Sequence, residues 1–148
     1  MPGQQKRKKS VRQKLNAMSA EFKNKNVLIV DDSIVRGTTS KEIVQMAKDA
    51  GANKVFFTSA APPVRYPHVY GINMPNRDEL IAHNRTISEI ADHLEINNLV
   101  YQSVESLRKS IISDSSIKDL EMSCFTGSYV TGTVNKEYLN WVENEYES

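Results

Sequence analysis

The stretch that decides the fold reads Val27-Leu28-Ile29-Val30-Asp31-Asp32-Ser33-Ile34-Val35-Arg36-Gly37-Thr38-Thr39-Ser40. The run from Asn26 to Val30 is short, mainly apolar and rich in β-branched residues. Such a run, ended by two aspartates, predicts a buried strand. A polar turn that contains Gly37 follows, so we expect the strand to end at the aspartates.

A helix and a second strand are predicted after this turn. Thr39 is a favourable N-cap, and Glu42 three residues later completes a predicted capping box. An apolar stripe at helical spacing then runs to Gly51, a typical residue just after a helix C-terminus. The segment from Lys54 to Ala60 is the next predicted strand. Strand, turn, helix and strand in about 35 residues form the unit of a parallel sheet, so the predicted class is α/β.

The rest of the chain continues this alternation. Apolar residues at helical spacing and an apolar run predict further helices over 11–22, 77–83, 86–95, 103–112 and 135–146, and a strand over 99–101. Ser103 is the predicted cap of its helix, and residues 113–134 are predicted to be irregular. We therefore predict a main domain over residues 1–112 and a C-terminal extension with a terminal helix over residues 113–148.

The composition is that of an ordinary globular protein. The chain has 148 residues, of which 39% are apolar and 25% are charged. These values exclude collagen-like, low-complexity and wholly disordered classes. No stretch approaches the ~20 consecutive apolar residues of a membrane-spanning helix. A single cysteine, Cys124, excludes a disulfide within this sequence, and we expect a cytoplasmic location.

Positive charge is concentrated near the beginning of the sequence. Six basic residues precede the first acidic one, Glu21: Lys6, Arg7, Lys8, Lys9, Arg12 and Lys14. Three interpretations are open, namely a solvated tail, a nucleic-acid patch, or a loop that closes over an anionic ligand. The run has no interleaved aromatic residues and the chain pI is about 7.8, which argues against nucleic acid.

The turn after the first strand carries the chemistry. Asp31 and Asp32 are predicted to lie at the carboxyl edge of the sheet, where open α/β folds bind ligands. The Gly37 turn and the helix that follows it aim backbone N–H groups and hydroxyls at a phosphate. Carboxylates repel a phosphate but suit sugar hydroxyls or Mg²⁺, so the segment indicates a ribose phosphate. A receiver domain is the rival, but Asp78 does not follow a buried strand as that class requires.

These residues resemble a known motif. Val27–Thr39 is similar to the phosphoribosylpyrophosphate (PRPP) motif of type I phosphoribosyltransferases. The flanking segments are similar to the glutamine PRPP amidotransferases, or amidophosphoribosyltransferases, over nearly the whole chain. These segments are Met1–Gln5, Ser10–Arg12, Lys14–Asn16, Ala60–Pro62, Tyr70–Ile72, Glu79–His83 and Phe125–Tyr129.

The resemblance implies roles for individual residues. Asp31 and Asp32 would hold the ribose hydroxyls and the Mg²⁺ that accompanies PRPP. The turn would wrap the 5-phosphate through Ser33, Val35, Arg36, Gly37, Thr38 and Thr39. Residues 1–14 would be a flexible loop that closes over pyrophosphate, with Lys6 and Arg7 as candidate catalytic residues.

The resemblance also implies an activity. Family members transfer ammonia from glutamine to C1 of PRPP and release pyrophosphate, the first step of de novo purine synthesis. They are homo-oligomers, and purine nucleotides are possible feedback inhibitors. Only Cys124 matches a cysteine of the iron–sulfur cluster that some members carry, while His68 and Glu121 stand at other such positions, so no cluster is expected.

The sequence matches only part of the family's catalytic domain. The resemblance places residue 1 inside the flexible loop, so we expect a fragment or truncated copy that lacks the N-terminal strands of the domain. The sheet would then expose an edge or an apolar face. We expect PRPP and Mg²⁺ binding at most, and whether the chain alone is an enzyme stays open. The alternative is a non-catalytic PRPP or nucleotide sensor; neither nucleic acid nor a membrane is an expected partner.

Overall fold

A three-stranded parallel sheet is the centre of the structure, a computed structural model that describes residues 19–72 and 76–145. The strands are β1 (Asn26–Asp31), β2 (Lys54–Ser59) and β3 (Asn98–Tyr101), and they neighbour one another in that order. All three predicted strands are therefore confirmed, as is the α/β class. The predicted flexible loop over residues 1–14 lies outside the described residues.

Helices connect and follow the strands. They are α1 (Ser19–Phe22), α2 (Thr38–Asp49), α3 (Ile87–Leu94), α4 (Val104–Ile112), α5 (Ser123–Thr126) and α6 (Lys136–Glu145), with a 3-10 turn at Arg77–Glu79. The helices α2 and α3 are the crossovers between consecutive parallel strands, and right-handed crossovers in one direction place both on the same face of the sheet. Within residues 19–72 and 76–145, no helix has the length and apolar composition needed to cross a membrane.

The core lies between the sheet and these two crossover helices. Val55 and Phe57 of β2 point into it and are 2% and 0% exposed. Val44 of α2 and Ile90 of α3 are equally buried and belong to the same cluster. Because side chains alternate along a strand, every second residue of β1, β2 and β3 contributes to this covered face.

The opposite face of the sheet is open in the described part of the chain. Leu28, Val30 and Val100 point to it and are 61%, 70% and 54% exposed. Val30, Thr58 and Val100 are register partners, so the exposed residues form one patch across all three strands. Parallel sheets are normally covered on both faces. The expectation of an exposed apolar face is therefore confirmed.

Local sequence signals predicted the start of one helix correctly and that of another incorrectly. Ser103 caps α4, as predicted, because its side chain accepts a hydrogen bond from the Ser106 amide. The predicted capping box of Thr39 and Glu42 is wrong, since α2 begins after Gly37 and has no side-chain cap bond. Gly37 adopts a φ of 77°, which turns the chain into the helix two residues earlier than Thr39 would.

The predicted helix over residues 77–83 is also wrong. Only Arg77–Glu79 form a 3-10 turn, and Leu80 is extended. Leu80, Ile81 and Ala82 are 0%, 2% and 0% exposed, and three consecutive buried residues do not fit the one-sided burial of a surface helix. The Ile81 amide donates to the Val35 carbonyl at 2.9 Å, so a tertiary contact replaces the helical hydrogen bond.

Polar contacts attach the C-terminal segment to the loop after β2. The Cys124 carbonyl accepts from the amides of Arg65 and Tyr66 at 2.9 and 3.1 Å. His68 Nε2 lies 3.1 Å from Glu121 Oε2. Hydrogen bonds, together with the ring contact of Tyr70 and Tyr129, thus join the two predicted divisions of the chain at this point.

Candidate functional site

Two adjacent carboxylates end β1 at the carboxyl edge of the sheet. Asp31 Oδ1 accepts a hydrogen bond from the Asp32 amide at 3.0 Å, and Asp32 Oδ1 accepts from the Ser33 amide at 2.6 Å. Asp32 is exposed and Asp31 is half-buried. Neither makes an ion pair with a cationic side chain within residues 19–72 and 76–145. Both carboxylates are therefore oriented by the turn and accessible to a ligand.

The start of α2 follows these carboxylates after a turn over residues 33–37. The first helical hydrogen bond runs from the Lys41 amide to the Gly37 carbonyl at 2.8 Å. The amides of Thr38, Thr39 and Ser40 precede that bond, and none of the described side chains caps them. Free amides at a helix N-terminus carry partial positive charge and suit an anion. Since the hydroxyl-bearing Thr38 and Thr39 are exposed as well, this turn has the donors that a phosphate requires.

The side chain of Ile81 lies against the turn at Gly37. A Cβ atom on Gly37 would overlap Ile81 Cδ1, so glycine lets the turn approach this buried side chain without displacing it. The positive φ of Gly37 points to the same residue type. Ile34, at the other end of the turn, is 0% exposed and belongs to the core cluster. The core therefore fixes the backbone of the turn while its polar groups face outward.

Arg36 projects from the same turn and forms an ion pair. Its Nε donates to Glu79 Oε2 at 2.5 Å, and both side chains are about half exposed, at 49% and 50%. The sequence analysis included Arg36 but not Glu79 among the site residues. The two residues are 43 positions apart, so no local spacing signals this contact.

The predicted site residues fall into two groups. Asp31, Asp32 and the turn residues through Thr39 form one continuous site at the end of β1. Lys6 and Arg7 lie outside the described residues. The donor set of the two aspartates fits Mg²⁺, which prefers oxygen ligands and commonly takes one or two carboxylates together with a phosphorylated substrate. No group of three or more His, Cys, Asp or Glu side chains suited to a metal occurs within residues 19–72 and 76–145.

The structure also contains a separate polar cavity of about 240 Å³. Its lining residues are Arg77, Asp78, His83, Asn84 and Arg85, and none of them belongs to the predicted phosphate turn. His83 Nδ1 is 3.0 Å from the Arg65 carbonyl oxygen, which agrees with a structural histidine. The predicted phosphate donors therefore lie in the turn over residues 33–39, the phosphate turn, and not in this cavity.

Three positions correspond to cysteine ligands of the iron–sulfur cluster in the family: His68, Glu121 and Cys124. They lie close together where the C-terminal segment contacts the loop after β2. Burial acts to raise the pKa of Glu121, but hydrogen bonds from Ser123 and the neighbouring His68 outweigh it and lower that pKa. Burial and the Glu121 charge raise the pKa of the Cys124 thiol. A thiol with a raised pKa is a poor nucleophile, so Cys124 has the character of a structural residue.

Comparison with known proteins places the chain within longer enzymes. It is 53% identical over 146 residues to the amidophosphoribosyltransferase of Haemophilus influenzae, a match that spans 98% of this chain and 29% of the relative. It is 53% identical over 148 residues to the Saccharomyces cerevisiae amidophosphoribosyltransferase, spanning 100% of this chain and 29% of that relative. The chain thus spans less than a third of the length of these relatives. No protein-family model matches the chain.

Solved structures agree with the sequence relatives. A glutamine PRPP amidotransferase from Bacillus subtilis, complexed with ADP and GMP, superposes with a TM-score of 0.69 at 38% identity. That match covers 76% of this chain and 25% of the solved one. A structure described as the allosteric regulatory enzyme of purine biosynthesis gives a TM-score of 0.70 over 82% of this chain and 26% of that one.

Proposed function

Because this chain is homologous to one portion of the amidophosphoribosyltransferases, we propose that it is the part of such an enzyme that binds PRPP. The observation that carries the proposal is the junction of β1 and α2. There, β1 ends at Asp31, Asp32 follows it, and a short turn leads into a helix whose first amides are capped by none of the described side chains. A ribose phosphate needs hydrogen-bond acceptors for its hydroxyl groups and hydrogen-bond donors for its phosphate, and this junction has both close together.

Each group at the junction has a role in the proposal. Asp31 and Asp32 accept hydrogen bonds from the ribose hydroxyls and hold the Mg²⁺ that accompanies PRPP. The 5-phosphate receives the amides and hydroxyls of the turn, from Ser33 and Val35 through Arg36, Gly37, Thr38 and Thr39. Mg²⁺, when bound, neutralises charge on the diphosphate. Separating carboxylates from phosphate donors in this way avoids the repulsion that two anions would suffer on one side of the turn.

The proposed reaction of the whole enzyme is ammonia transfer. Ammonia derived from glutamine forms a bond to C1 of PRPP and loses a proton, while the bond from C1 to the pyrophosphate oxygen breaks and that oxygen takes the electron pair. The residues of this chain orient the ribose and stabilise charge, and we assign Lys6 and Arg7 to the departing pyrophosphate. The chain alone is proposed to retain PRPP and Mg²⁺ binding, without glutamine-dependent activity.

The same proposal covers the setting of the enzyme. We propose a cytoplasmic homo-oligomer of purine biosynthesis in which residues 1–112 serve the phosphoribosyltransferase domain. The relative from Bacillus subtilis was solved with ADP and GMP, which supports purine nucleotides as feedback inhibitors. A non-catalytic sensor of PRPP or nucleotides is the alternative, and binding by an intact assembly without turnover would favour it.

A thermal melt tests the PRPP site directly. A ligand that binds only the folded state raises its stability, by about 2.7 kcal/mol at a concentration 100 times the Kd. We expect Mg-PRPP to raise the melting temperature of the chain and to have no effect on the double variant Asp31→Asn, Asp32→Asn. Asp92→Asn, on the exposed surface of α3, is the control and should keep the full shift. An equal shift in the double variant would disprove the site.

A further inference from the structure

The contact between Arg36 and Glu79 joins the phosphate turn to a distant segment. Arg36 Nε donates to Glu79 Oε2 at 2.5 Å, and hydrogen bonds between two charged groups are shorter and stronger than those between neutral groups. Arg36 immediately precedes Gly37, the residue from which α2 starts. The carboxylate of Glu79 therefore sets the direction of a cationic side chain beside the helix N-terminus.

Glu79 is presented from a fixed backbone. It ends the 3-10 turn Arg77–Glu79, and the next two residues, Leu80 and Ile81, are 0% and 2% exposed. The Ile81 amide also donates to the Val35 carbonyl at 2.9 Å, which ties this segment to the turn one residue before Arg36. The side chain of Glu79 is half exposed, but the segment that carries it cannot move independently of the phosphate turn.

One edge of the Arg36 guanidinium donates a hydrogen bond, and the other edge has no hydrogen-bond partner among the described residues. Its Nε binds Glu79, while its two Nη amino groups have no hydrogen-bond partner within residues 19–72 and 76–145. An arginine presents five donors in a planar fork that matches a phosphate. Fixing Nε therefore fixes the plane of the fork and leaves the Nη edge available to an anion.

We infer that Glu79 is a positioning residue, which holds the Nε edge of Arg36 so that its Nη edge meets the phosphate bound at the start of α2. The inference rests on the proposed function, because it assumes a sugar phosphate at that turn. Exposed ion pairs contribute little to folding, so the effect belongs to binding more than to stability.

A second effect of Glu79 opposes the first. Its carboxylate is an anion near the proposed phosphate, so its charge alone weakens phosphate binding. Two variants separate orientation from charge. Glu79→Gln removes the charge and keeps an amide oxygen that accepts from Arg36 Nε. Glu79→Ala removes both the charge and the acceptor. Positioning predicts that only the alanine variant loses affinity, whereas charge repulsion alone predicts that both variants gain it.

Calorimetric titration of the full chain with ribose 5-phosphate and with Mg-PRPP is the test. We expect Glu79→Ala to weaken binding about threefold to tenfold, as for the loss of one exposed charge-assisted contact. Glu79→Gln should stay within about twofold of wild type on the same scale. Glu105→Ala, on the exposed surface of α4, controls for loss of an acidic side chain elsewhere. In an Arg36→Ala background, Glu79→Ala should no longer weaken binding, and loss of the Glu79 charge should leave affinity equal or slightly tighter, whereas a structural role would weaken binding in both backgrounds.

The outcomes separate this inference from the proposed function. Equal or tighter binding by Glu79→Ala, with the Asp31 and Asp32 double variant still unable to bind, overturns the positioning role alone. A wild-type chain that binds neither ligand overturns the proposed site and the inference with it. Circular dichroism of each variant confirms that it is folded, and Glu79→Gln keeps the test valid if the alanine variant is not.

Discussion

The two faces of the sheet come from the same three strands and have opposite surroundings. Val55 and Phe57 point to the covered face and are almost fully buried under α2 and α3. Val30 and Val100 point to the open face and are 70% and 54% exposed. Valine occurs on both faces, so residue type alone does not mark the covered face. An apolar strand therefore indicates that burying its side chains is favourable, but it does not indicate which element of the fold covers them.

The open face of the sheet can be considered together with the greater length of the relatives. Parallel sheets are normally covered by helices on both faces. Here both crossover helices lie on one face, and the chain spans 29% of the Haemophilus influenzae relative. The phosphate turn, by contrast, is supported from the covered side through Ile34 and Ile81. The candidate site thus depends on the half of the fold that is packed.

The largest expected effect is the difference in stability loss between a substitution on the covered face and one on the open face. Val55→Ala on the covered face should lower the free energy of unfolding by about 2–3 kcal/mol, because buried methyl groups are lost and a cavity remains. Val30→Ala on the open face should cost about 1 kcal/mol or less, which reflects strand preference alone. Urea denaturation measures both, and similar losses would mean that the open face is buried in solution.

An intermediate effect is expected where the phosphate turn meets the covered core. Gly37 and Gly71 both have positive φ, so alanine is strained at each. A Cβ at Gly37 also contacts Ile81, whereas one at Gly71 meets nothing within 4 Å. We therefore expect Gly37→Ala to destabilise the chain by about 1 kcal/mol more than Gly71→Ala, the lower end of overpacking costs because Ile81 Cδ1 can shift. Equal losses in a urea titration would show that the close approach does not exist.

The smallest effect concerns the C-terminal segment, which is attached by polar contacts and not by a sheet face. The folded-state pKa of Glu121 lies below its ordinary value of 4.5, since hydrogen bonds and His68 favour the carboxylate. A lowered folded-state pKa contributes stability that is complete above pH 4.5 and is lost as the pH falls through the folded-state value. Glu121→Gln cannot titrate, so the stability difference between it and wild type should shrink on acidification from pH 7 to about pH 3. A difference that stays constant would contradict the assigned pKa.

Much of the fold was predictable because its signals are local. The three strands follow from short apolar runs, and the start of α4 follows from the Ser103 cap. The short helix α5 lies in the segment predicted to be irregular, and the other two errors arose where distant residues override local preference. Gly37 starts α2 at the place where the turn rests on Ile81, and Ile81 bonds to Val35 where a helix was expected.

The candidate site divides in the same way. The aspartates and the turn through Thr39 are contiguous in sequence, so their types and order could be recognised without a structure. Glu79 could not be found, because it reaches Arg36 only after the chain has formed β2 and returned to the edge of the sheet. Contacts across such separations leave no periodic signal.

By itself, the sequence determined the α/β class, the order of the strands along the chain and the residues of the candidate site after β1. These follow from side-chain chemistry and spacing within a few residues. Only the tertiary structure decided which face of the sheet is covered, where α2 begins and which carboxylate holds Arg36. The reason is physical, since burial and ion pairing depend on distances in space that the fold sets between residues far apart in the chain.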